Sequence, residues 1–102
     1  MNNAILGILG LCRKAGLMSA GFEAVKASIL SKKSKLVLAA SDISAKTYKE
    51  LNFFAKDHNI EVIRLDEDTE AVSKAIGLRA GTISIEDGSF AKKILELHSQ
   101  VP

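Results

Sequence analysis

The stretch GFEAVKASILSKKSKLVLAASD, Gly21 to Asp42, decides the fold. Val25, Ile29 and Leu30 recur close to a 3.6-residue period and predict a helix with one apolar face. Ser31 to Lys35 (SKKSK) follows as a polar, cationic turn. Leu36 to Ala40 (LVLAA) is then apolar at every position and too short for a helix, as a strand covered on both faces would be. Ser41 and Asp42 close the run. Asp42 or Ser44 is placed to cap the next helix by accepting from free backbone N–H groups. The strand's end is therefore expected beside the basic turn and two helix starts.

Upstream, Ala4 to Ala15 sets Ile5, Ile8, Leu9 and Cys12 on one helical face, with Arg13 and Lys14 offsetting the dipole and Gly16 as the stop. Leu17 to Ser19 is a short strand. Downstream, a helix turns Tyr48, Leu51, Phe54 and Ala55 inward, and Asn59, which tolerates the left-handed conformation, ends it. Glu61 to Leu65 (EVIRL) alternates at period two. Asp68 caps a shorter helix burying Val72, Ala75 and Ile76, closed by Gly77. Leu78 to Gly81 is a loop, Thr82 to Glu86 (TISIE) a second alternating strand. Asp87 or Ser89 opens a last helix with Phe90, Ile94 and Leu97 inward. The order αβαβαβαβα predicts a single domain, residues 1–102, folded as a three-layer α/β/α sandwich.

At 102 residues, 47% hydrophobic and 25% charged, the chain is long enough for a core without staples. One cysteine, Cys12, excludes an intrachain disulfide framework and suits a reducing compartment, so a cytoplasmic location is expected. No apolar run approaches the ~18 residues of a membrane helix, and the Ala4–Leu11 run does not read as a signal peptide. The net charge of +2 hides an asymmetry: residues 1–51 hold eight Lys/Arg against three Asp/Glu, residues 52–102 six against nine. The cations from Arg13 to Lys49 are expected on one face, with Asp66, Glu67, Asp68 and Glu70 elsewhere. A polyanion would use such a face, and a merely solvated surface would look the same.

Catalytic signals are weak. No Cys, His or Asp set has metal-ligand spacing, and no cofactor motif is present, so neither a metal nor a cofactor is expected. Cys12 lies on an apolar face and reads as core. Gly7 and Gly10 are spaced for close helix packing. Asp42 lacks the acidic partners and the later lysine that a phosphoryl or metal site would need, so it reads as a cap. Gly21-Phe22-Glu23 is different. A glycine at a helix start admits close approach, the helix N-terminus attracts phosphate, and Phe22 either stacks on an unpaired base or tucks into the core.

Five blocks, Leu9–Gly16, Ser19–Lys26, Lys35–Asp42, Ala75–Ala80 and Asp87–Lys93, together resemble the bacterial YlxQ-type branch of the ribosomal-protein superfamily that binds RNA kink-turns. The ordered set carries the likeness, over nearly the whole chain. It implies a four-stranded mixed sheet and RNA binding without catalysis. Its members hold bent RNA with the start of the second helix, the loop after the second strand and the loop before the last strand. Here those are Gly21–Lys26, Ser41–Asp42 and Leu78–Ala80. Lys14, Lys26 and Arg79 are then expected on phosphates, Gly21 at the close approach, and Phe22 and Leu78 over unstacked bases, with Glu23, Ser41, Asp42 and Ala80 completing the interface. The helix start departs from the kink-turn pattern, Gly-x-Asn-Glu, by reading Gly21-Phe22-Glu23-Ala24. Structured RNA, ribosomal RNA foremost, is the implied partner, with ribosomal or translation proteins as further partners and no membrane. The rival is a protein-interaction module of the translation machinery that has lost kink-turn specificity.

Overall fold

The computed structural model describes residues 4–99. Helix and strand alternate as α1 (Ala4–Lys14), β1 (Met18–Ala20), α2 (Phe22–Leu30), β2 (Leu36–Ala39), α3 (Ala45–Lys56), β3 (Val62–Arg64), α4 (Thr69–Ile76), β4 (Thr82–Ile85) and α5 (Gly88–Ser99). The expected order holds throughout. The strands form one mixed sheet, β1-β4-β2-β3. β2 and β3 are parallel, with Val37 opposite Val62, while β4 is antiparallel to β1 and β2, with Ser84 opposite both Ser19 and Val37. Hence β1, β2 and β3 point the same way.

The period-two pleat of β2 feeds two cores. Leu36, Leu38 and Ala40 pack with Ile5, Leu9 and Cys12 of α1, Val72 and Ile76 of α4, and Ala91 and Ile94 of α5. Val37 and Ala39 pack on the other face with Val25 and Ile29 of α2 and Leu51 and Ala55 of α3. Every residue from Leu36 to Ala40 is at most 1% exposed, so the strand is covered on both sides as its composition required. At ~1.5–3 kcal/mol for each large apolar side chain, this strand anchors both layers.

Local chemistry sets the ends. Ser44, not Asp42, caps α3, its Oγ accepting from Thr47 N at 3.1 Å. Asp68 caps α4 by accepting from Ala71 N at 2.9 Å, and Gly77 closes it at φ 73. Asn59 does take the left-handed conformation, at φ 56. Gly10 lies at the α1–α4 crossing, where an added Cβ would stand 3.1 Å from Ala75 O; Gly7 meets open space and serves no such contact. Cys12 is core: its thiol donates to Leu17 O, and burial, then Asp87 and Glu86, push it up to about 11. None of the described helices is long and apolar enough to cross a membrane.

One expectation needs correcting. The basic turn does not lie beside the end of β2; it lies at the other end, where Lys35 N donates to Ile85 O at 2.7 Å, whereas Ala40 N donates to Gly81 O at 2.8 Å. The strand separates them. The alternating strand TISIE is covered on both faces, because β4 is central and Thr82 to Ile85 are all buried. Its polar face meets a hydroxyl chain. Ser84 Oγ stands 2.7 Å from Ser34 Oγ and 2.8 Å from Ser28 Oγ, and Ser28 and Ser19 donate to Glu86 Oε2 at 2.6 and 2.7 Å.

Ser84→Ala removes the side-chain partner of buried Ser34, and the expected loss is about 1–3 kcal/mol of unfolding free energy in a urea titration. A loss below ~0.5 kcal/mol would show that water replaces the chain without penalty.

Candidate functional site

Because β1, β2 and β3 run the same way, their C-terminal ends meet the start of β4 at one pole. Gly21 N donates to Thr82 O at 2.9 Å, Ala40 N to Gly81 O at 2.8 Å and Ser41 N to Glu67 O at 2.8 Å. The segments opening at Gly21, Ser41 and Leu78 are thereby brought to the same end of the sheet. Gly81 makes the approach possible: a Cβ there would stand 2.8 Å from Thr69 Oγ1 and 3.0 Å from Ile43 Cγ2.

The helices that follow these strands all start at this pole, each exposing N–H groups and a partial positive charge. Two of the three starts are closed by side chains, α3 by Ser44 and α4 by Asp68. The third is bare. Gly21, at φ 96 and ψ 150, precedes α2 with no side-chain cap. An added Cβ at Gly21 would meet nothing within 4 Å, so the space beside it is open. Glu23 is exposed in this turn, one carboxylate beside an otherwise anion-attracting row of amides.

The other expected residues divide. Phe22 is half-buried against the α2–α3 core, which leaves part of its ring exposed. Lys26 Nζ rests 4.8 Å from the centroid of the Phe54 ring, drawn toward α3. Leu78 is 40% exposed and Arg79 is exposed, whereas Ala80 is 6% exposed with its N–H bound to Ser73 Oγ at 3.0 Å. The Ala80 side chain therefore faces inward and presents nothing to a ligand. Lys14, exposed, lines with Arg13, Lys74 and Gly77 a groove of about 350 Å³ between α1 and α4. But α1 ends where Glu86 N donates to Leu17 O at 2.9 Å, toward the end of the sheet opposite Gly21, so Lys14 is not brought to this pole. None of Lys14, Lys26 or Arg79 is paired with a carboxylate; among the described residues the ion pair is Lys74 with Glu70.

Ser41 and Asp42 are structural first. Asp42 Oδ1 accepts from Thr69 N at 2.9 Å and Thr69 Oγ1 at 2.7 Å, clipping the start of α4 to the end of β2. The Ser41–Glu67 bond also places the acidic run from Asp66 to Glu70 at this pole, not away from it, since parallel pairing aligns the ends of β2 and β3. Cationic character thus belongs to the α2 and Leu78–Arg79 sides. Arg64, at the end of β3, is a cation that sequence reasoning passed over; its guanidinium carbon lies 4.3 Å from the centroid of the Tyr48 ring. An arginine closing a strand that ends at this pole was the available signal. No group of three or more His, Cys, Asp or Glu among the described residues is placed to hold a metal ion.

The chain belongs to the Ribosomal protein L7Ae/L30e/S12e/Gadd45 family, whose model matches residues 3–94. It is 30% identical over 92 residues to the RNA-binding protein YlxQ of Enterococcus faecium, covering 90% of this chain and 88% of that protein. A protein of unknown function from Bacillus halodurans C superposes with a TM-score of 0.91 at 25% identity, over 97% of this chain and 100% of that one. The 15.5kD RNA binding protein of Giardia lamblia superposes with a TM-score of 0.77 at 15% identity, over 99% and 90%, which speaks to the fold alone. The resemblance drawn from the sequence, and the mixed four-stranded sandwich it implied, are both found.

The Thr69 hydroxyl and then its backbone N–H hold the Asp42 carboxyl below its usual 3.8. The clip's contribution is therefore complete above 3.8 and disappears as pH falls through the depressed folded value. Urea midpoints of the native chain and Asp42→Ala should differ by a constant amount above about pH 5 and converge in stronger acid. A difference that persists unchanged into strong acid would show that the ionised carboxylate is not what matters.

Proposed function

We propose that this family member is a non-enzymatic, cytoplasmic RNA-binding protein that takes structured, sharply bent RNA at the pole where Gly21, Ser41 and Leu78 meet. The observation that carries this is the bare start of α2. Its first amides face open space beside a glycine of positive φ, while the neighbouring helix starts are closed. A phosphate supplies the missing acceptor. Lys26 and Arg79, unpaired with carboxylates, neutralise adjoining phosphates, and Arg64 adds a cation on the β3 side. The exposed parts of Leu78 and Phe22 cover unstacked bases.

The carboxylates have a different part. Glu23 and Asp42 repel phosphate but accept from base N–H groups, so they suit base edges splayed out at a bend. Glu23 and Ala24 replace the Asn-Glu pair of the kink-turn pattern, so the bend recognised is related to a kink-turn without sharing its guanine contacts in full. The name of the Enterococcus relative, an RNA-binding protein, supports the ligand class. Ribosomal RNA is the proposed source, which makes ribosome association and contact with ribosomal proteins the natural setting. The protein-interaction alternative calls for an apolar patch free of cations. Exposed Leu11, Leu30 and Leu78 sit instead next to Arg13, Lys14, Lys32 and Arg79 in sequence, and exposed Phe53 lies one helical turn from Lys49 and Lys56.

Lys26→Ala combined with Arg79→Ala should weaken binding to a labelled bent RNA in fluorescence anisotropy and lower the slope of log K against log salt by about 1.4–1.8, at ~0.7–0.9 per phosphate contact. A straight duplex of the same composition should bind more weakly than the bent one and respond less. Unchanged affinity and slope in the double variant would remove RNA from this pole and leave the protein-interaction role.

A further inference from the structure

The lysines of the basic turn have no part in the pole just described, because β2 holds them at the other end of the molecule. There the last turns of α2 and α3 come together over the start of β2. Between them lies a cleft of about 500 Å³ bordered by Lys32, Lys35, Asp57, His58, Asn59 and Ile60. That volume is in the ~300–1,000 Å³ range of small-ligand clefts.

Lysines near a helix C-terminus have an ordinary purpose, since they offset its partial negative charge. Here they exceed it. Two helix C-termini together amount to roughly one negative charge, Asp57 adds a second, and Glu61, which borders a neighbouring groove with Lys35, adds a third. Lys32, Lys33, Lys35 and Lys56 bring four positive charges against them. The ion pair formed among the described residues, between Lys74 and Glu70 on α4, lies elsewhere. An excess of about one positive charge is therefore left at the mouth of a cleft.

The remaining border is polar and unengaged. His58 Nδ1 lies 3.2 Å from Phe54 O; a carbonyl only accepts, so Nδ1 carries the hydrogen and Nε2 is left free of that bond. The Asn59 amide has no hydrogen-bond partner among the described residues, and Asn59 and Lys32 are both held at positive φ, 56 and 66, on opposite sides of the opening. Ile29 and Ile60 add an apolar wall.

We propose that this cleft is a second site and that it takes a nucleotide. Lys32 and Lys35 receive the phosphate, the ribose and base lie against Ile60, and Asn59 and Asp57 meet the base edge with one donor-and-acceptor group and one acceptor. The nucleotide belongs to a single-stranded stretch of RNA or is a free mononucleotide. The site stands on its own residues and does not need the first pole.

The test is an amide NMR titration of the isotope-labelled full chain, with a short single-stranded oligoribonucleotide in one arm and adenosine monophosphate in the other. Saturable shifts are expected at Lys32, Lys35, His58, Asn59 and Ile60. Shifts with the oligonucleotide alone identify the strand as the source, and shifts in both arms show that a mononucleotide suffices. In Lys32→Ala with Lys35→Ala, checked for native shifts elsewhere, the salt slope for the oligonucleotide should fall by about 0.7, the value for the one phosphate they receive. An absence of shifts around the cleft in both arms overturns the second site, as does an unchanged slope in the variant. Shifts confined to Phe22–Ala24 and Leu78–Arg79 also overturn it while leaving the first pole standing, so the two proposals fail separately.

Discussion

Strand β2 has no face to give to water, and that constraint organises the molecule. Residues Leu36 to Ala40 are buried on both sides, so helices must roof the sheet above and below, and β4 and β3 must occupy both flanks. A parallel neighbour such as β3 requires a crossover, which α3 provides. Once β1, β2 and β3 share a direction, α2, α3 and α4 must all begin at one pole. The direction of the sheet thereby becomes an electrostatic polarity, with helix starts at one end and the ends of α2 and α3 at the other.

Within that frame the three helix starts are not equivalent. Ser44 and Asp68 close two of them in the usual way, while Gly21 leaves the third open. A glycine in place of Ser or Asp at this position gives up only a few tenths of a kcal/mol. An anion-receptive row of amides is therefore inexpensive for the fold. The clip from Asp42 to Thr69 has the opposite character: it joins β2 to α4 and consumes polar groups that would otherwise face a ligand. Two loops at one pole thus divide into one that holds the structure and one that stays available.

Much of this was legible in the sequence. Glycine stops, polar caps and apolar periods gave every element in order, and the buried strand announced the layers. What escaped was what depends on partners distant in the chain. Lys35 and Ser41 are near in sequence, yet a five-residue strand at ~3.3 Å per residue carries them to opposite ends. Nothing local to Ser84 reveals Ser28 and Ser34 waiting across the sheet. The acidic run from Asp66 looked remote from Ser41 until parallel pairing set the two side by side. Ala80 fell in a segment with the right position, but its burial depends on Ser73, seven residues away.

The helix α2 connects both candidate sites. It begins at the bare amides beside Gly21 and ends one residue before the basic turn, so its nine residues span ~14 Å at 1.5 Å per residue. A nucleotide strand advancing about 3.4 Å per step covers that length in about four steps. Between the two ends the exposed residues of α2 include Ala24 and Ala27, which are small and uncharged and let a backbone pass closely. The β3 side of the first pole, by contrast, is lined by the acidic run. Coulomb repulsion there and surplus lysines beyond the far end of α2 favour the same route, so an RNA chain leaving the bend at the first pole would be drawn along α2 toward Lys32 and Lys35.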